Sequence, residues 1–155
     1  MARQRLALAL ATWFYSGYAP IAPGTTGSIC AWAMAWFVVH RQGLPAWTLA
    51  VAALVLTPIA IWSSEAVSPL FATKDPSRVV IDEVVGQWIA LAAAADGSWT
   101  QWIAALALFR LFDIAKPFGI RRLEALRGGV GVVADDVAAG TCAMIGVALV
   151  RWIGL

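Results

Sequence analysis

Long apolar runs, separated by short polar or glycine- and proline-containing connections, dominate this sequence. No run alternates apolar and polar residues at the period of two that a half-buried strand requires. The chain is therefore predicted to be all-α, a single domain over residues 1–155 built as a bundle of about five to six helices. The predicted helices cover residues 6–14, 29–40, 46–64, 79–95, 99–112 and about 135–153.

The connections contain residues that usually begin or end helices. The glycines and prolines of residues 16–27 predict a loop, after which Ser28 is a suitable N-cap. Pro58 predicts a kink in the third helix, and residues 65–71 either continue that helix or form their own turn. Residues 73–78 and 96–98 are predicted to be polar turns. Residues 128–131 predict a flexible glycine loop, and Asp135 or Asp136 is expected to cap the last helix.

Composition favours a membrane protein over an ordinary soluble bundle. Hydrophobic residues make up 61% of the chain and charged residues only 13%, whereas soluble domains carry about 25% charged residues. No charged residue occurs within residues 6–39 or 42–64, and uncharged stretches of this length favour a bilayer. The alternative is a soluble helical bundle with a very large core.

The charged residues are distributed unevenly between the ends of the predicted helices. If successive helices alternate across a membrane, all the acidic motifs and most cations fall on one side, which the positive-inside rule assigns to the cytoplasm. The opposite side receives Arg41 and Arg151. Several predicted helices are shorter than the roughly 20 residues of a full span, so the number of spans stays open.

Three acidic motifs are the candidate chemistry. Asp82 and Glu83 lie within an aliphatic run, where ionised groups are costly unless a cation or water compensates. Neighbours on a helix point about 100° apart, so one acid could bind a cation while the other orients water or an arginine. Their alternative role is to stabilise a helix N-terminus. The pair Asp135-Asp136 offers carboxylate oxygens that suit Mg²⁺.

The third motif places a carboxylate between two cations. Arg110, Asp113 and Lys116 recur every third residue, so Arg110 and Asp113 share a helical face. They could hold a phosphate and a metal, or form only an ion-pair ladder at a helix end. The hydroxyls of Thr25, Thr26 and Ser28 could bind phosphate at a helix N-terminus.

Other phosphoryl-transfer chemistries are disfavoured by the sequence. The only histidine, His40, is predicted to lie at the opposite membrane face, and neither cysteine has the arginine spacing of a thiolate phosphatase loop. Both cysteines are interpreted as buried structural thiols. Carboxylate-metal chemistry with nearby cations remains, with either water or an aspartate as the attacking group.

Four segments together resemble the phosphatidylglycerophosphatase A family of bacterial lipid phosphatases. They are APGTTGS at 22–28, VIDEVVG at 80–86, FRLFDIAKP at 109–117, and GGVG at 128–131 with DDVAAG at 135–140. They occur in the family's order and extend from residue 22 to residue 140, so that the resemblance spans most of the chain. One departure is Gly119, where the family usually has a second proline.

The resemblance implies an Mg²⁺-dependent enzyme that converts phosphatidylglycerophosphate to phosphatidylglycerol and phosphate. It implies a multi-pass protein of the bacterial inner membrane with its active site on the cytoplasmic face. A lipid substrate is expected, with no nucleic acid and no obligate protein partner. The expected catalytic residues are Asp82, Glu83, Asp113 and Asp136. The expected metal ligands add Asp135 to these four, and the expected phosphate ligands are Thr25, Thr26, Ser28, Arg110 and Lys116.

Two other functions also fit a small apolar chain with buried acids. A small ion-coupled transporter would place its acids near the bilayer midplane, whereas here they fall at predicted helix ends. A non-catalytic membrane assembly subunit would tolerate acid-to-amide changes and release no phosphate.

Overall fold

The computed structural model describes residues 2–71, 76–95 and 98–154. These residues form six α-helices and two short 3₁₀ segments, and no strand occurs among them. The helices are α1 (Ala2–Ala11), α2 (Pro23–Gln42), α3 (Thr48–Phe71), α4 (Ile81–Leu91), α5 (Trp99–Ala115) and α6 (Gly128–Trp152). The 3₁₀ segments are Ser16–Tyr18 and Ile120–Ala125. The all-α prediction is therefore confirmed for the described part of the chain.

The short helix α4 is the centre of the bundle. It packs against α2, α3, α5 and α6, while α1 lies against α3. Most of its residues are buried, and their aliphatic side chains join those of α3 and α6 in one of the two hydrophobic clusters. The aliphatic run around Asp82 and Glu83 therefore serves to bury α4 on all sides, which fixes the two acids at its first turn.

Glycines let α4 and α6 approach closely. A Cβ at Gly140 of α6 would lie 2.4 Å from the carbonyl oxygen of Gly86 in α4, closer than any real Cβ contact. A Cβ at Gly86 would in turn lie 2.7 Å from the carbonyl oxygen of Asp136. From the sequence alone, a glycine one turn after Asp136 predicts that another helix can approach α6 closely there, and this prediction is confirmed. This crossing lies one turn from Asp82 on α4 and from Asp136 on α6.

The predicted start of α2 at Ser28 is wrong. The helix begins at Pro23, whose fixed φ suits a first helical position. Ser28 is a fully buried interior residue whose hydroxyl donates to the Gly24 carbonyl at 2.9 Å. Gly27 lies within this helix and packs closely against Val80. A Cβ at Gly27 would lie 2.7 Å from the Val80 Cβ, so a larger residue would prevent this contact.

The predicted glycine loop at 128–131 and the predicted cap at Asp135 or Asp136 are also wrong. These glycines form the first turn of α6, and the two aspartates lie in its third turn. A Cβ at Gly129 would lie 2.1 Å from the Ile61 carbonyl oxygen of α3. Close packing on α3 therefore outweighs the low helix propensity of glycine.

Other helix ends differ by a few residues. The third predicted helix continues through Pro58 and residues 65–71 to Phe71, and α4 is shorter than predicted at both ends. Between α5 and α6, residues 118–127 contain the 3₁₀ segment Ile120–Ala125 and no α-helix. Lys74 and the proposed turn at Asp96 and Gly97 lie outside the described residues.

Two helices, α3 and α6, are long and apolar enough to cross a membrane. Their outward faces are apolar as well: Leu54 of α3 is 77% exposed, and Ile145 and Leu149 of α6 are also exposed. The same holds for Phe37 of α2 and Ile103 of α5. Apolar outer surfaces on several neighbouring helices are typical of a lipid-facing bundle rather than of a soluble protein.

Candidate active site

A polar cavity of about 450 Å³ brings the predicted motifs together. Four helices contribute to it: the first turn of α2, the first turn of α4, the last turn of α5 and the third turn of α6. Its charged lining residues are Asp82, Glu83, Arg110, Asp113, Lys116, Asp135 and Asp136. All five predicted carboxylates and both predicted phosphate-binding cations therefore surround one space.

The two acids of α4 enter the cavity in different environments. Asp82 is 6% exposed and its Oδ1 accepts the Glu83 backbone N–H at 3.1 Å. Glu83 Oε1 lies 3.9 Å from Arg110 Nη1. Gly24 of α2 makes room for Glu83, since a Cβ at Gly24 would lie 2.2 Å from Oε1.

Burial raises the pKa of Glu83 to about 8, and the nearby Asp136 and Asp113 carboxylates contribute to this rise. The hydrogen bond with Asp82 and the charge of Arg110 oppose the shift. A carboxyl group with a pKa near neutrality can hold a proton at physiological pH or release it to a bound cation.

Arg110 links α5 to α2 through Ser28 and lies near Glu83 of α4. Its Nη1 donates to Asp113 Oδ2 at 2.6 Å, as the three-residue spacing predicted, and to Ser28 Oγ at 3.4 Å. The Arg110 Nε is buried without a hydrogen-bond partner among the described residues. The guanidinium is thus held at the cavity wall with donor capacity still unused.

Lys116 ends α5 in a left-handed conformation with φ of 45°. Its ammonium forms a short ion pair with Asp135 and a second one with Glu124 Oε1 at 2.6 Å. Burial lowers the pKa of Lys116, but the hydrogen bonds to Asp135 and Glu124 outweigh it and the pKa lies above its ordinary value. Lys116 is therefore a permanent cation at this site.

The three predicted hydroxyl ligands are placed differently from one another. Thr25 lines the cavity. Thr26 Oγ1 donates to the Ala22 carbonyl at 3.3 Å, and Ser28 is buried behind the wall, so neither belongs to the lining. Ser28 contacts Arg110 and can act on a phosphate only through that side chain.

Sequence reasoning missed Glu124 as the second partner of Lys116. The two residues lie eight positions apart across the break at Pro117, where no helical periodicity predicts a contact. It also missed Ile114, a 67% exposed residue that lines the cavity. The spacing of Ile114 from Arg110 is one helical turn, which was the available signal.

The carboxylates fit a hard divalent cation. Asp82, Glu83 and Asp136 each offer an oxygen within 4.8 Å of the others, and Asp113, Asp135 and Asp136 do the same. Three buried carboxylate oxygens have no hydrogen-bond partner among the described residues: Glu83 Oε2, Asp135 Oδ1 and Asp136 Oδ1. Unsatisfied buried oxygens are costly, and an all-oxygen donor set suits Mg²⁺.

Comparison with known proteins gives a consistent result. Residues 9–151 match the family model for phosphatidylglycerophosphatase A. The chain is 43% identical over 153 residues to a Bacteroides thetaiotaomicron protein named provisionally as a phosphatidylinositol-3-phosphatase, covering 96% of this chain and 95% of the relative. It is 34% identical to phosphatidylglycerophosphatase A of Escherichia coli, covering 84% and 75% of the two chains. The Haemophilus influenzae protein of that name is 37% identical, covering 92% and 87%. No solved structure matches the chain.

Proposed function

Because the chain belongs to the phosphatidylglycerophosphatase A family, and is thus a phosphatase, we propose that it hydrolyses phosphatidylglycerophosphate with Mg²⁺. The products are phosphatidylglycerol and phosphate. The observation that carries this proposal is the single cavity in which five carboxylates face two cations. A phosphate monoester needs positive charge around its oxygens, and buried carboxylates can supply it only by binding a metal.

Each group in the cavity has a role in this proposal. Asp82, Glu83, Asp113, Asp135 and Asp136 hold Mg²⁺, which when bound neutralises phosphate charge. Arg110 and Lys116 bind the phosphate oxygens, and Thr25 donates a further hydrogen bond. Asp113 and Asp135 hold these cations in place before the substrate binds. Ser28 positions Arg110.

The reaction exchanges one phosphorus–oxygen bond for another. An oxygen nucleophile attacks phosphorus, the bond to the glycerol oxygen breaks, and that oxygen leaves with a proton as the alcohol. Before a cation binds, the raised pKa of Glu83 lets this residue hold a proton, which it releases when it becomes a metal ligand.

We place the protein in the bacterial inner membrane. At 1.5 Å per residue, α3 and α6 measure about 36 Å, enough to cross a hydrocarbon core of about 30 Å. By the same rise α4 measures about 16 Å, so it is a buried half-length helix rather than a span. We therefore propose that α3 and α6 span the bilayer, rather than that every helix crosses it in alternation.

The cavity is proposed to open at the cytoplasmic face. Exposed arginines cluster at that end of the bundle: Arg78 beside the cavity wall, and Arg121, Arg122 and Arg127 before α6. Arg41 and Arg151 lie at the opposite ends of α2 and α6. Juxtamembrane cations attract anionic lipid headgroups, by about 1 kcal/mol each. The same cations would raise the local concentration of an anionic lipid substrate.

The lipid tail has a defined path out of the cavity. One exposed apolar face of α5 is formed by Ile103, Ala107, Leu111 and Ile114, and this face ends at the cavity because Ile114 also lines it. A lipid whose phosphate contacts Arg110 would therefore lay its acyl chains along α5 within the bilayer. This continuity favours a lipid substrate over a soluble phosphomonoester.

The test is phosphate release by the purified full chain in detergent micelles. Phosphatidylglycerophosphate with Mg²⁺ should be hydrolysed, and Asp136→Asn should abolish the reaction. The matched control is Glu65→Gln, an exposed acid of α3 outside the cavity, which should retain activity. Turnover without a divalent metal, or full activity of Asp136→Asn, would contradict the proposal.

One relative favours a second substrate. The Bacteroides thetaiotaomicron protein is named for a phosphatidylinositol-3-phosphate substrate, which is also a lipid phosphomonoester. The same assay should therefore include phosphatidylinositol-3-phosphate. If its kcat/KM exceeds that for phosphatidylglycerophosphate, the headgroup assignment changes while the carboxylate and cation roles remain.

A further inference from the structure

The five carboxylates of the cavity divide into two overlapping groups. Asp82 and Glu83 of α4 form one group with Asp136, and Asp113 of α5 forms the other with Asp135 and Asp136. In each group three oxygens lie within 4.8 Å of one another. Asp136 is the only residue common to both, so it lies between two separate sets of potential ligands.

Each group contains buried oxygens that lack a partner among the described residues. In the first group these are Glu83 Oε2 and Asp136 Oδ1, and in the second they are Asp135 Oδ1 and Asp136 Oδ1. Asp135 and Asp136 are only 5% and 4% exposed, so bulk water does not satisfy them. The existing cations are engaged with other atoms: Lys116 with Asp135 Oδ2 and Arg110 with Asp113 Oδ2.

The charge balance in the metal-loaded cavity also favours two divalent ions over one. Once metal binding has displaced their protons, the five carboxylates that line the cavity outnumber its two lining cations by three charges. One divalent ion would leave the site negative and repel a phosphate dianion. Two would leave it with one positive charge, which attracts that dianion.

We propose that the cavity binds two divalent cations, one in each carboxylate group, with Asp136 as their shared ligand. This inference rests on the proposed function of the cavity as a metal-dependent phosphatase site and adds the number of ions and their ligands. Paired metals are suited to phosphate transfer because they act on both the attacking and the leaving oxygen. The separate helices α4 and α5 each complete one site, and α6 joins them.

The experiment titrates the full-length protein in detergent with Mn²⁺, which prefers the same oxygen ligands as Mg²⁺. Calorimetry should give two ions per chain, and electron paramagnetic resonance of the loaded protein should show an exchange-coupled Mn²⁺ pair. Asp82→Asn and Asp135→Asn should each reduce the stoichiometry to one and remove the coupling. Asp136→Asn should weaken both sites, whereas Glu65→Gln should keep two ions.

Circular dichroism and gel filtration identify a variant that fails to fold. If Asp82→Asn does not fold, Glu83→Gln replaces it as the test of the first group. If Asp135→Asn does not fold, Asp113→Asn replaces it as the test of the second group. A single ion per wild-type chain at saturation, or two ions without coupling, would overturn the inference. Metal-dependent phosphate release with one ion would leave the proposed function standing. Two coupled ions without phosphate release would instead reject the proposed function and keep the two-cation site.

Discussion

Replacing Gly140 by alanine tests whether the crossing of α4 and α6 sets the geometry of the site. The new Cβ would lie 2.4 Å from the Gly86 carbonyl oxygen and 2.9 Å from its Cα, both backbone atoms. Ordinary contact begins near 3.4 Å, so the helices must separate by about 1 Å. The separation displaces Asp82 and Glu83 from Asp136, because all three lie one turn from the crossing.

We expect Gly140→Ala to destabilise the fold by about 1–3 kcal/mol, the usual cost of overpacking. We expect kcat to fall about 100-fold, because a misplacement of about 1 Å in a catalytic group has this effect. Mn²⁺ affinity should fall as well, since the first carboxylate group combines Asp82 and Glu83 of α4 with Asp136 of α6. Phosphate release, Mn²⁺ calorimetry and thermal unfolding measure the three effects separately.

Gly146→Ala is the matched control on the same helix. Its Cβ would meet the end of the Leu108 side chain at 2.8 Å, and its other nearest contacts lie at 3.8 Å or more. A flexible side chain can move aside, so kcat should stay within about threefold of the wild type. The reasoning is refuted if a folded Gly140→Ala variant keeps wild-type kcat and Mn²⁺ affinity.

Three further predictions concern single side chains. Burial raises the pKa of Glu83 to about 8 when no cation is bound, so metal binding below that pH must release the Glu83 proton. Mn²⁺ affinity should therefore rise with pH through the neutral range. Calorimetry of Glu83→Gln should show a weaker rise rather than none, because burial also raises the pKa of Asp136, which still releases a proton to the metal. Lys116→Met should lower kcat/KM by about 10- to 150-fold, from the 1.5–3 kcal/mol of a charged hydrogen bond. Glu124→Gln should lower kcat/KM by at most about fivefold, from the roughly 1 kcal/mol of a half-exposed ion pair. Equal losses of kcat/KM in the two variants would reject direct phosphate contact by Lys116. Ile114→Ser should raise KM for the diacyl lipid by up to about 30-fold, from roughly 2 kcal/mol of lost apolar contact, without changing hydrolysis of the deacylated headgroup. The control Leu54→Ser on α3 should leave the KM values of both substrates unchanged. An equal rise in KM for both substrates in Ile114→Ser would contradict the acyl path along α5.

Much of the cavity was predictable because charged residues are rare in this chain. Asp82 and Glu83 lie at the start of α4 and Asp113 lies near the end of α5, whereas Asp135 and Asp136 lie in the third turn of α6. Because ionised groups in an apolar bundle need a shared polar space, these motifs were expected to come together. The three-residue spacing of Arg110 and Asp113 gave their pairing directly. The small residue at Gly140 likewise indicated a close helix crossing.

The starts of α2 and α6 were not predictable by the same reasoning. Both begin with residues of low helix propensity, Pro23 and Gly128, and a local interpretation favours loops. These turns are helical because glycines pack against backbone or side chains of distant helices, as Gly129 does against Ile61 of α3. Such contacts depend on which helices pack together, and local sequence patterns do not predict this. Placing Asp135 and Asp136 inside α6 rather than at its cap follows from the same packing.

The most direct test of the central claim is the rate of phosphate release from phosphatidylglycerophosphate as Mg²⁺ is titrated after treatment with a chelator. For the wild type we predict no release without metal, a rise with Mg²⁺ to saturation, and full recovery after chelation is reversed. Asp136→Asn should stay inactive at every Mg²⁺ concentration while Glu65→Gln follows the wild type. Release that is independent of Mg²⁺, or an Asp136→Asn variant as active as Glu65→Gln, would contradict the assignment of the carboxylate cavity as the catalytic site.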